Sequence, residues 1–394
     1  QESEYKKDVS YYMADMNFKL GKFQQAIDAG LPLINSAAPA ERSEINKIVG
    51  ESYFNLEQYG KAIPYLKEYK GKQGKWTNTD YYLLGYSYYK QNDFPNAINQ
   101  FNKIIDGNNA VAQNAYYHLA ECYLKTNKKS EALNAFRNAS QMSFKPQIQE
   151  DAYLNYAKLS YEIGNPYKNV AEVLQDFLKA YPNAAEKDQI KKLIISAYVV
   201  SKDYAGALQY LESEKQNKQN SIYQKVAYER GVQLFKEARY HEAGIHFDKS
   251  LTNPVDAEYT ARATYWKGET AFQLNEYTDA LRSYINFQNL PASEVLEEGK
   301  NIDYQIAYTY FKQKEYTKAA ESFNRYVKKA NTDAEKLNDA YLRLGDTYFV
   351  TSAYQKAVDA YLKSIDLNSK TADYATFQAA VSYGFVQNNN QKIT

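Results

Sequence analysis

An aromatic residue followed three positions later by alanine recurs along the whole chain, and this repeat constrains the fold more than any other feature. The pattern occurs at Phe23/Ala26, Tyr59/Ala62, Phe94/Ala97, Tyr204/Ala207, Tyr240/Ala243, Tyr277/Ala280, Tyr316/Ala319 and Tyr354/Ala357. Two copies with lysine in the aromatic place, Lys129/Ala132 and Lys168/Ala171, fill the gap in the middle. Successive alanines are 35 to 39 residues apart. Because self-similarity at a period of about 20–50 residues is the signature of repeat architectures, the sequence predicts an array of ten repeats.

A second regular position lies twelve residues before most of these alanines and holds a small residue. It is occupied by Ala14, Gly50, Gly85, Ala120, Gly231, Gly268, Ala307 and Gly345. Apolar residues around it recur at i, i+3, i+4 and i+7, as in Tyr81, Leu84, Gly85 and Tyr88, which is the spacing of one helix face. The segment after each aromatic has the same spacing, and a polar turn such as 91–93 separates the two. Each repeat is therefore predicted to form two amphipathic helices, A and then B.

Five of these small residues are glycines inside predicted helices, where each costs roughly 1 kcal/mol relative to alanine. We expect close packing of helix B on helix A to offset this cost, because a missing Cβ lets two backbones approach. The repeat alanine of helix B is the expected matching contact, with the aromatic side chains filling the space beside it.

A small residue, a tyrosine three places later and then aromatic-x-x-Ala resembles the tetratricopeptide repeat in every unit. The resemblance covers essentially the whole chain and implies an all-α fold, a right-handed α-solenoid (superhelix) of about ten and a half helix-turn-helix units. The period exceeds the 34 residues of that family, which implies longer turns or extended B helices. The fifth unit departs most, with two extra residues around 164–166, and the sixth has Ile195 where a small residue is expected.

Three segments are predicted to organise the array. Units one to six occupy 1–212, a polar linker or hinge occupies 213–222, and units seven to ten with an unpaired eleventh A helix occupy 223–394. The linker is predicted because Glu212–Ser221 is wholly polar. The eleventh helix carries aromatic residues although a solenoid end normally has a polar outer face. We therefore expect the sequence to be a piece of a longer protein, and the alternative is that this end docks on another molecule.

The composition argues against several function classes. Lys and Arg total 48 against 47 for Asp and Glu, so the sequence predicts no general attraction to nucleic acid or anionic membranes, although a local patch stays possible. The single cysteine, Cys122, excludes an internal disulfide framework and a Cys-based structural zinc site. No apolar run approaches the ~18–20 residues of a membrane span, so no membrane insertion is predicted. The 41 tyrosines favour packing through large amphipathic rings.

No motif in the sequence predicts catalysis, a metal site or a cofactor. His118 and Cys122 share a helix face at i, i+4, but no second pair of ligands accompanies them, and a structural role is expected. His241 and His246 are five residues apart, which places them about 140° apart around a helix, too far to share a metal. The stretch 71–75 resembles part of a nucleotide-binding loop but lacks a following Ser or Thr and a preceding strand, so we expect an inter-repeat turn.

The A helices of such a solenoid form its concave face, and helical phase identifies the residues expected to line it. They lie three residues before the small residue, or one or four after it. The candidate peptide-binding residues are Tyr11, Phe18, Phe54, Tyr82, Tyr86, Tyr89, Tyr117, Glu121, Tyr228, Phe235, Tyr265, Glu269, Phe272, Tyr304, Tyr308 and Phe311. Two interpretations compete: these rings pack between neighbouring A helices, or they present faces and hydroxyls to a peptide. The Lys and Asn clamp of chaperone-binding grooves is absent, because Tyr mostly replaces the Lys.

These observations predict a non-catalytic scaffold or adaptor that binds a protein or peptide partner in an aromatic concave groove, with small-molecule binding disfavoured. Residues 177–182, Phe-Leu-Lys-Ala-Tyr-Pro, resemble the repeat ending of bacterial envelope repeat proteins, and 82–101 and 114–140 resemble the central array of large exported proteins of Bacteroidota. That resemblance implies the periplasm or the outer-membrane periphery and a partner in an envelope or secretion assembly, with the cytoplasm as the other location. A carbohydrate- or peptidoglycan-binding module and a regulatory domain of a larger protein are the alternatives.

Overall fold

A computed structural model describes residues 2–104, 107–214, 220–329, 333–367 and 371–386. Within these ranges the chain forms 22 α-helices, two short 3₁₀ helices and one isolated antiparallel bridge between Lys72 and Lys75. The fold is an all-α solenoid, which confirms the predicted fold class. None of the helices described is long and apolar enough to cross a lipid bilayer.

The helices alternate as the repeat predicts, ten A/B pairs and one further A helix. The A helices are α1 (Glu2–Lys19), α3 (Pro39–Asn55), α5 (Asn78–Lys90), α7 (Ala110–Lys125), α9 (Pro146–Ile163), α11 (Lys187–Val200), α13 (Ser221–Lys236), α15 (Ala257–Gln273), α18 (Ile302–Lys312), α20 (Ala334–Val350) and α22 (Ala372–Phe385). The B helices are α2 (Phe23–Gly30), α4 (Tyr59–Glu68), α6 (Phe94–Phe101), α8 (Lys129–Gln141), α10 (Val170–Ala180), α12 (Tyr204–Ser213), α14 (Tyr240–Thr252), α16 (Tyr277–Gln288), α19 (Tyr316–Val327) and α21 (Tyr354–Asp366). A single-turn helix, α17 (Glu297–Lys300), precedes α18.

The chain forms two compact regions, 1–197 and 198–394, called here the N-terminal half and the C-terminal half. The predicted linker 213–222 lies inside the C-terminal half, and its residues 215–219 fall outside the described ranges, so the predicted division stays a prediction. Glu212 precedes this linker and Tyr223 follows it. The Glu212 carboxylate accepts hydrogen bonds from the Tyr223 hydroxyl at 3.0 Å and from the Lys249 ammonium at 2.8 Å. These contacts tie α12 to α13 and α14.

The helical glycines make the close contacts that their cost predicts, but with a different partner from the one expected. A Cβ added to Gly85, Gly268 or Gly345 would lie 2.8, 2.8 or 2.5 Å from a ring of the paired B helix. The rings belong to Phe101, Tyr284 and Tyr361, four residues after each repeat alanine. The glycine therefore makes room for an aromatic ring of helix B and not for the repeat alanine. That ring lies about one helical turn after the alanine. These rings are fully buried, and they form the core of each A/B pair.

The turn from helix A to helix B is the same in nine units. A residue two places before the first B residue has positive φ: Gly21, Glu57, Asn92, Asn127, Lys202, Ala238, Asn275, Lys314 and Ser352. At Asn92 the backbone N–H of Asn92 donates to the Tyr89 carbonyl and that of Asp93 to the Tyr88 carbonyl, which is a Schellman motif. In seven units a ring pair 5.1–6.3 Å apart closes the same turn, joining residues i and i+5, as Phe54 and Tyr59 do.

The fifth unit, which departs most from the repeat in sequence, also has a different turn. Gly164 has φ of +82°, and the Asn165 amide donates to the Tyr156 hydroxyl and to Ser160 Oγ, both at 2.8 Å. Asn165 Oδ1 also accepts from the backbone N–H of Tyr167 at 2.8 Å. The asparagine side chain therefore ties this turn to side chains of α9, where the other turns use the backbone hydrogen bonds of the Schellman motif.

Extra residues between units form structured loops. Residues 69–77 contain a tight turn with left-handed backbone at Gly71, Gln73 and Gly74. Residues 291–300 form a 3₁₀ helix, Pro291–Glu294, followed by α17. The predicted lengthening of turns is thus found in the loops that lead from helix B to the next helix A.

Candidate partner-binding face

The sixteen predicted groove residues all lie on A helices, and together they define what we call the A-helix face of each half. None of them is highly exposed. Tyr228 and Tyr265 are buried, at 7% and 8% exposure, and the other fourteen are half-buried. Most of the half-buried rings contact the next A helix or the turn that follows their own. The rings therefore pack between repeats, and their presentation to a peptide stays a prediction.

In the N-terminal half the rings contact each other across three A helices. Phe54 of α3 lies 5.8 Å from Tyr86 of α5, measured between ring centroids, and Tyr82 stacks on Tyr86 at 5.7 Å. Tyr86 and Tyr89 are 5.8 Å apart. The Tyr86 ring then meets the His118 ring of α7 at 4.9 Å. The result is a continuous aromatic surface along α3, α5 and α7.

His118 stands at the centre of this surface. Its ring lies 5.1 Å from that of Tyr89 and 5.3 Å from that of Tyr117. Its Nδ1 is 2.7 Å from the Glu121 carboxylate, which lies one helical turn further along α7. The predicted residue Glu121 therefore orients the imidazole instead of standing alone in the groove.

At the start of the array, Tyr11 and Phe18 make contacts within the first unit. The Tyr11 ring lies 5.7 Å from Tyr12, and the Phe18 ring lies 6.0 Å from Phe23. Burial and the neighbouring carboxylates Asp15 and Glu44 raise the pKa of the Tyr11 hydroxyl.

The predicted rings of the C-terminal half form smaller groups. Tyr304 stacks on Tyr308 at 5.8 Å, and Phe272 of the preceding A helix lies 6.0 Å from Tyr308. Phe311 lies 6.3 Å from Tyr308.

The next pair of rings lies one unit earlier. Phe235 meets Trp266 of the next A helix at 5.1 Å.

Tyrosine hydroxyls pair with carboxylates of the next A helix at a fixed register. Tyr117 donates to Asp151, and Tyr304 donates to Asp339 at 2.7 Å. Each tyrosine lies three residues before the small residue of its own unit, and each aspartate lies six residues before that of the next unit. Burial first, and then the bonded carboxylate, raises the pKa of both phenols, so both are protonated donors at neutral pH.

A buried carboxylate reinforces the centre of the C-terminal half. Glu269 accepts a hydrogen bond from the fully buried Tyr284 at 2.9 Å, and Tyr265 also bonds it. Burial raises the pKa of Glu269, and these two donors partly oppose that rise. Glu269 therefore holds two core hydroxyls and is not a free acid in the groove.

Asp346 has the same role in the A helix of the tenth unit. It accepts hydrogen bonds from Tyr361 at 2.8 Å and from Tyr374 at 3.3 Å, and its other oxygen lies 3.0 Å from the Arg343 guanidinium. Arg343 also approaches Asp339 at 3.4 Å. This network joins α20, α21 and α22 through charge-assisted hydrogen bonds.

Lysine side chains cover some of the exposed ring faces. Lys90 Nζ lies 5.6 Å above the Tyr86 ring, and Lys312 Nζ lies 5.4 Å above the Tyr308 ring. Both pairs use a tyrosine one place after the small residue and a lysine four places further. The ring faces therefore already accept ammonium groups in the free protein.

The position two before the small residue was missed by the sequence reasoning. It holds His118, Trp266 and Arg343, each of which contacts the A-helix face of the preceding or its own unit. An aromatic ring at this place in three units, Tyr12, His118 and Trp266, was the available signal, but the phase argument used only the positions that tyrosine occupies most often.

The remaining candidate residues of the sequence, Cys122 and His246, lie in packed surroundings. Cys122 is fully buried, and burial raises its pKa to about 12. His246 is half-buried, and burial together with Lys249 and Arg230 lowers its pKa to about 4. Across the described residues, no group of three His, Cys, Asp or Glu side chains is arranged to hold a metal ion.

Two family models match segments of the chain. Residues 304–371 match the tetratricopeptide repeat, and residues 72–139 match the family described as anaphase-promoting complex, cyclosome, subunit 3. The chain is a tetratricopeptide repeat protein. The helix pairs, the glycine contacts and the repeated turns are thus features of its tetratricopeptide repeats.

Solved structures with similar folds include other tetratricopeptide repeat proteins. The Pseudomonas aeruginosa pilF protein is 18% identical over 68% of this chain and 97% of its own, with a TM-score of 0.35. A tetratricopeptide repeat protein from Parabacteroides merdae is 14% identical over 68% and 98%, with a TM-score of 0.29. The Naa15/Naa10 complex bound to HypK is 12% identical over 98% and 67%, with a TM-score of 0.38. These scores are too low to carry a function to this chain, and no curated protein sequence matches it.

Proposed function

We propose that this protein is a non-catalytic scaffold that holds a protein or peptide partner against the A-helix face. Tetratricopeptide repeats are generally protein-interaction scaffolds. The observation that carries the proposal is the aromatic surface of Phe54, Tyr82, Tyr86 and Tyr89 with His118. It runs across three successive A helices, and each of its rings is half-buried and keeps part of its surface accessible to solvent.

The chemistry of this surface suits a peptide. Aromatic rings supply large contact areas at small entropic cost, and tyrosine is enriched in protein interfaces for that reason. Because the rings contact each other, the surface is ordered before the partner arrives, which lowers the cost of binding. Its length over α3, α5 and α7 fits an extended segment or one helix of a partner.

Site-specific photo-crosslinking tests this proposal. A benzoylphenylalanine in place of Tyr86 is expected to crosslink the partner, whereas the same group in place of Tyr167 is not. Tyr167 is the matched control, because it is a 52% exposed tyrosine in the fifth-unit turn and lies off the A-helix face. Equal crosslinking at both positions, or at Tyr167 alone, would place the binding site elsewhere.

Alanine substitution provides an independent measurement. Tyr82→Ala combined with Tyr117→Ala removes one ring from α5 and one from α7, and we expect at least a tenfold loss of partner affinity, about 1.4 kcal/mol. Undiminished capture by the folded double variant would contradict binding at this face.

We further propose that the partner belongs to a bacterial envelope or secretion assembly, in the periplasm or at the outer-membrane periphery. The support is the sequence resemblance at 177–182, 82–101 and 114–140. Fractionation of cells that express the complete gene tests the location, and recovery only in the cytoplasm would exclude it.

A further inference from the structure

A cavity of about 660 Å³ lies in the N-terminal half, on the side of α5 away from the A-helix face. Its walls come from the end of α4, the loop 69–77, the outer side of α5 and the end of α6. Tyr81 and Tyr88 line it, whereas Tyr82, Tyr86 and Tyr89 of the same helix belong to the aromatic surface described above. The two sites therefore occupy different sides of one helix.

Four lysines line this cavity, and none of its lining residues is a carboxylate. The lysines are Lys67, Lys70, Lys75 and Lys103. All are exposed, and within the described residues the only anion paired with any of them is Glu68, 3.5 Å from Lys70. A chain with a net charge of +1 thus carries a local basic patch here.

The interior of the cavity is aromatic. The Trp76 ring lies 5.0 Å from Tyr81, and Lys103 Nζ lies 5.2 Å above the Tyr81 ring. The Trp76 indole N–H donates to the Tyr69 carbonyl at 2.8 Å, which fixes the ring at the end of the loop. Tyr69 and Tyr88 also line the cavity and are buried. The cavity is therefore an open, mainly polar depression with a small aromatic floor inside a cationic rim.

We propose that this cavity is a second interaction surface and binds an acidic segment of a protein partner, with an aromatic side chain of that segment on the floor. Charge complementarity sets the occupant, because four lysines with a single nearby carboxylate, Glu68, attract carboxylates and repel basic segments. The aromatic floor favours a segment that also has an aromatic side chain, which a simple anion lacks.

Two of the lysines also have a structural explanation that does not involve a ligand. Lys67 lies in the last turn of α4, and Lys103 follows the end of α6, where a cation stabilises the negative end of a helix. That role affects stability alone. The experiment must therefore measure binding.

Trp76 provides the readout, since the chain has two tryptophans and a Trp266→Phe background leaves only Trp76 to report. The probe is a short synthetic peptide in which glutamates flank a central phenylalanine. We expect saturable quenching of Trp76 that weakens as salt is raised. The combined Lys75→Glu and Lys103→Glu variant should bind about tenfold more weakly or worse, because like charges then face each other.

Lys363→Glu is the matched control, because Lys363 is an exposed lysine on α21 in the C-terminal half. It should leave the affinity unchanged. Equal binding of a peptide with lysines in place of glutamates, equal quenching by inorganic phosphate, or no quenching at all would overturn the proposal. The outcome is independent of crosslinking at Tyr86, so the two sites can fail separately.

Discussion

Two units, one in each half of the chain, use the same repeat position in different ways. Tyr82 and Tyr304 both lie three residues before the small residue of their units. In the N-terminal half, Tyr82 contributes its ring to a continuous stack with Tyr86 and, through it, His118. In the C-terminal half, Tyr304 also contributes its hydroxyl, which is bound to Asp339. A repeat position therefore fixes the direction of a side chain. The neighbouring residues determine whether its ring or its hydroxyl makes the stabilising contact.

This difference has a functional consequence. Ring contacts are less directional than hydrogen bonds, so the surface on α3, α5 and α7 can contact a partner without losing a specific bond. The hydroxyl–carboxylate pairs, Tyr117 with Asp151 in the N-terminal half and Tyr304 with Asp339 in the C-terminal half, are directional and partly buried, and breaking one leaves an unpaired polar group. We expect the aromatic surface to bind and the helices joined by these pairs to be held more rigidly.

Replacing a helical glycine by alanine should disrupt the core of its own A/B pair, and this is the largest effect we expect. Gly268→Ala places a Cβ 2.8 Å from the Tyr284 ring, and overpacking of this kind costs about 2–3 kcal/mol of unfolding free energy. The measurement is chemical denaturation. Gly244→Ala is the control, since its Cβ would meet only Thr270, at 3.6 Å, and helix propensity then predicts stabilisation by up to about 1 kcal/mol. Similar effects at both glycines would contradict the close-packing account.

Acidification should destabilise the C-terminal half through His246. Its folded pKa is about 4, against an ordinary value of 6.5, so between these values the unfolded chain binds the proton and the folded chain does not. Stability is therefore present above pH 6.5 and is lost as the pH falls toward 4, by about 1–2 kcal/mol after allowance for partial exposure.

His246→Leu supplies the control for that pH dependence. Its unfolding free energy should fall less between pH 6.5 and 4 than that of the original chain. An unchanged pH profile would show that His246 titrates normally in the folded state.

Tyrosine-to-phenylalanine substitutions sharpen the comparison of the two units directly. Tyr304→Phe leaves Asp339 without its hydroxyl donor and should cost about 1–1.5 kcal/mol. Tyr82→Phe should cost less than about 0.5 kcal/mol, because no hydrogen bond of its hydroxyl is found among the described residues. Thermal or denaturant unfolding of both variants tests this. A larger loss at Tyr82 than at Tyr304 would reverse the distinction.

The smallest predicted effect concerns the turns. Ala238 has φ of +59°, a conformation that costs energy for alanine but not for glycine. Ala238→Gly should therefore stabilise the chain by about 0.5–1 kcal/mol, despite the extra chain entropy of glycine. Asn92→Gly should change stability little, because asparagine already tolerates this region. A destabilised Ala238→Gly variant would show that strain at this turn is negligible.

The sequence was sufficient to predict the helix pairs, because the alanine and the small residue twelve places before it recur in nearly every unit. It was also sufficient to predict close contacts at Gly85, Gly268 and Gly345, since a helical glycine carries a cost that packing must offset. The left-handed turns could not be predicted from residue type: Glu57, Lys202 and Ala238 are not turn formers, and the backbone bonds of the Schellman motif impose their conformation.

The candidate site was predicted only incompletely. Helical phase placed the tyrosines on the A helices but could not show that Tyr228 and Tyr265 are buried. Pairs such as Tyr304 with Asp339 join different repeats, and their partners are aspartates in only some units. Trp76, Lys70 and Lys75 lie in a loop that has no counterpart in the repeat, so the repeat pattern could not predict them.

The nine equivalent turns have a wider consequence for how such a protein can change. Glycine, glutamate, asparagine, lysine, alanine and serine all occupy the same left-handed position without altering the helix pair on either side. Within each half, the surface formed by these turns can therefore gain or lose charge by single substitutions while the core of each helix pair stays intact. Recognition at these turns can diversify from one lineage to the next, and only the strain of a non-glycine residue opposes it.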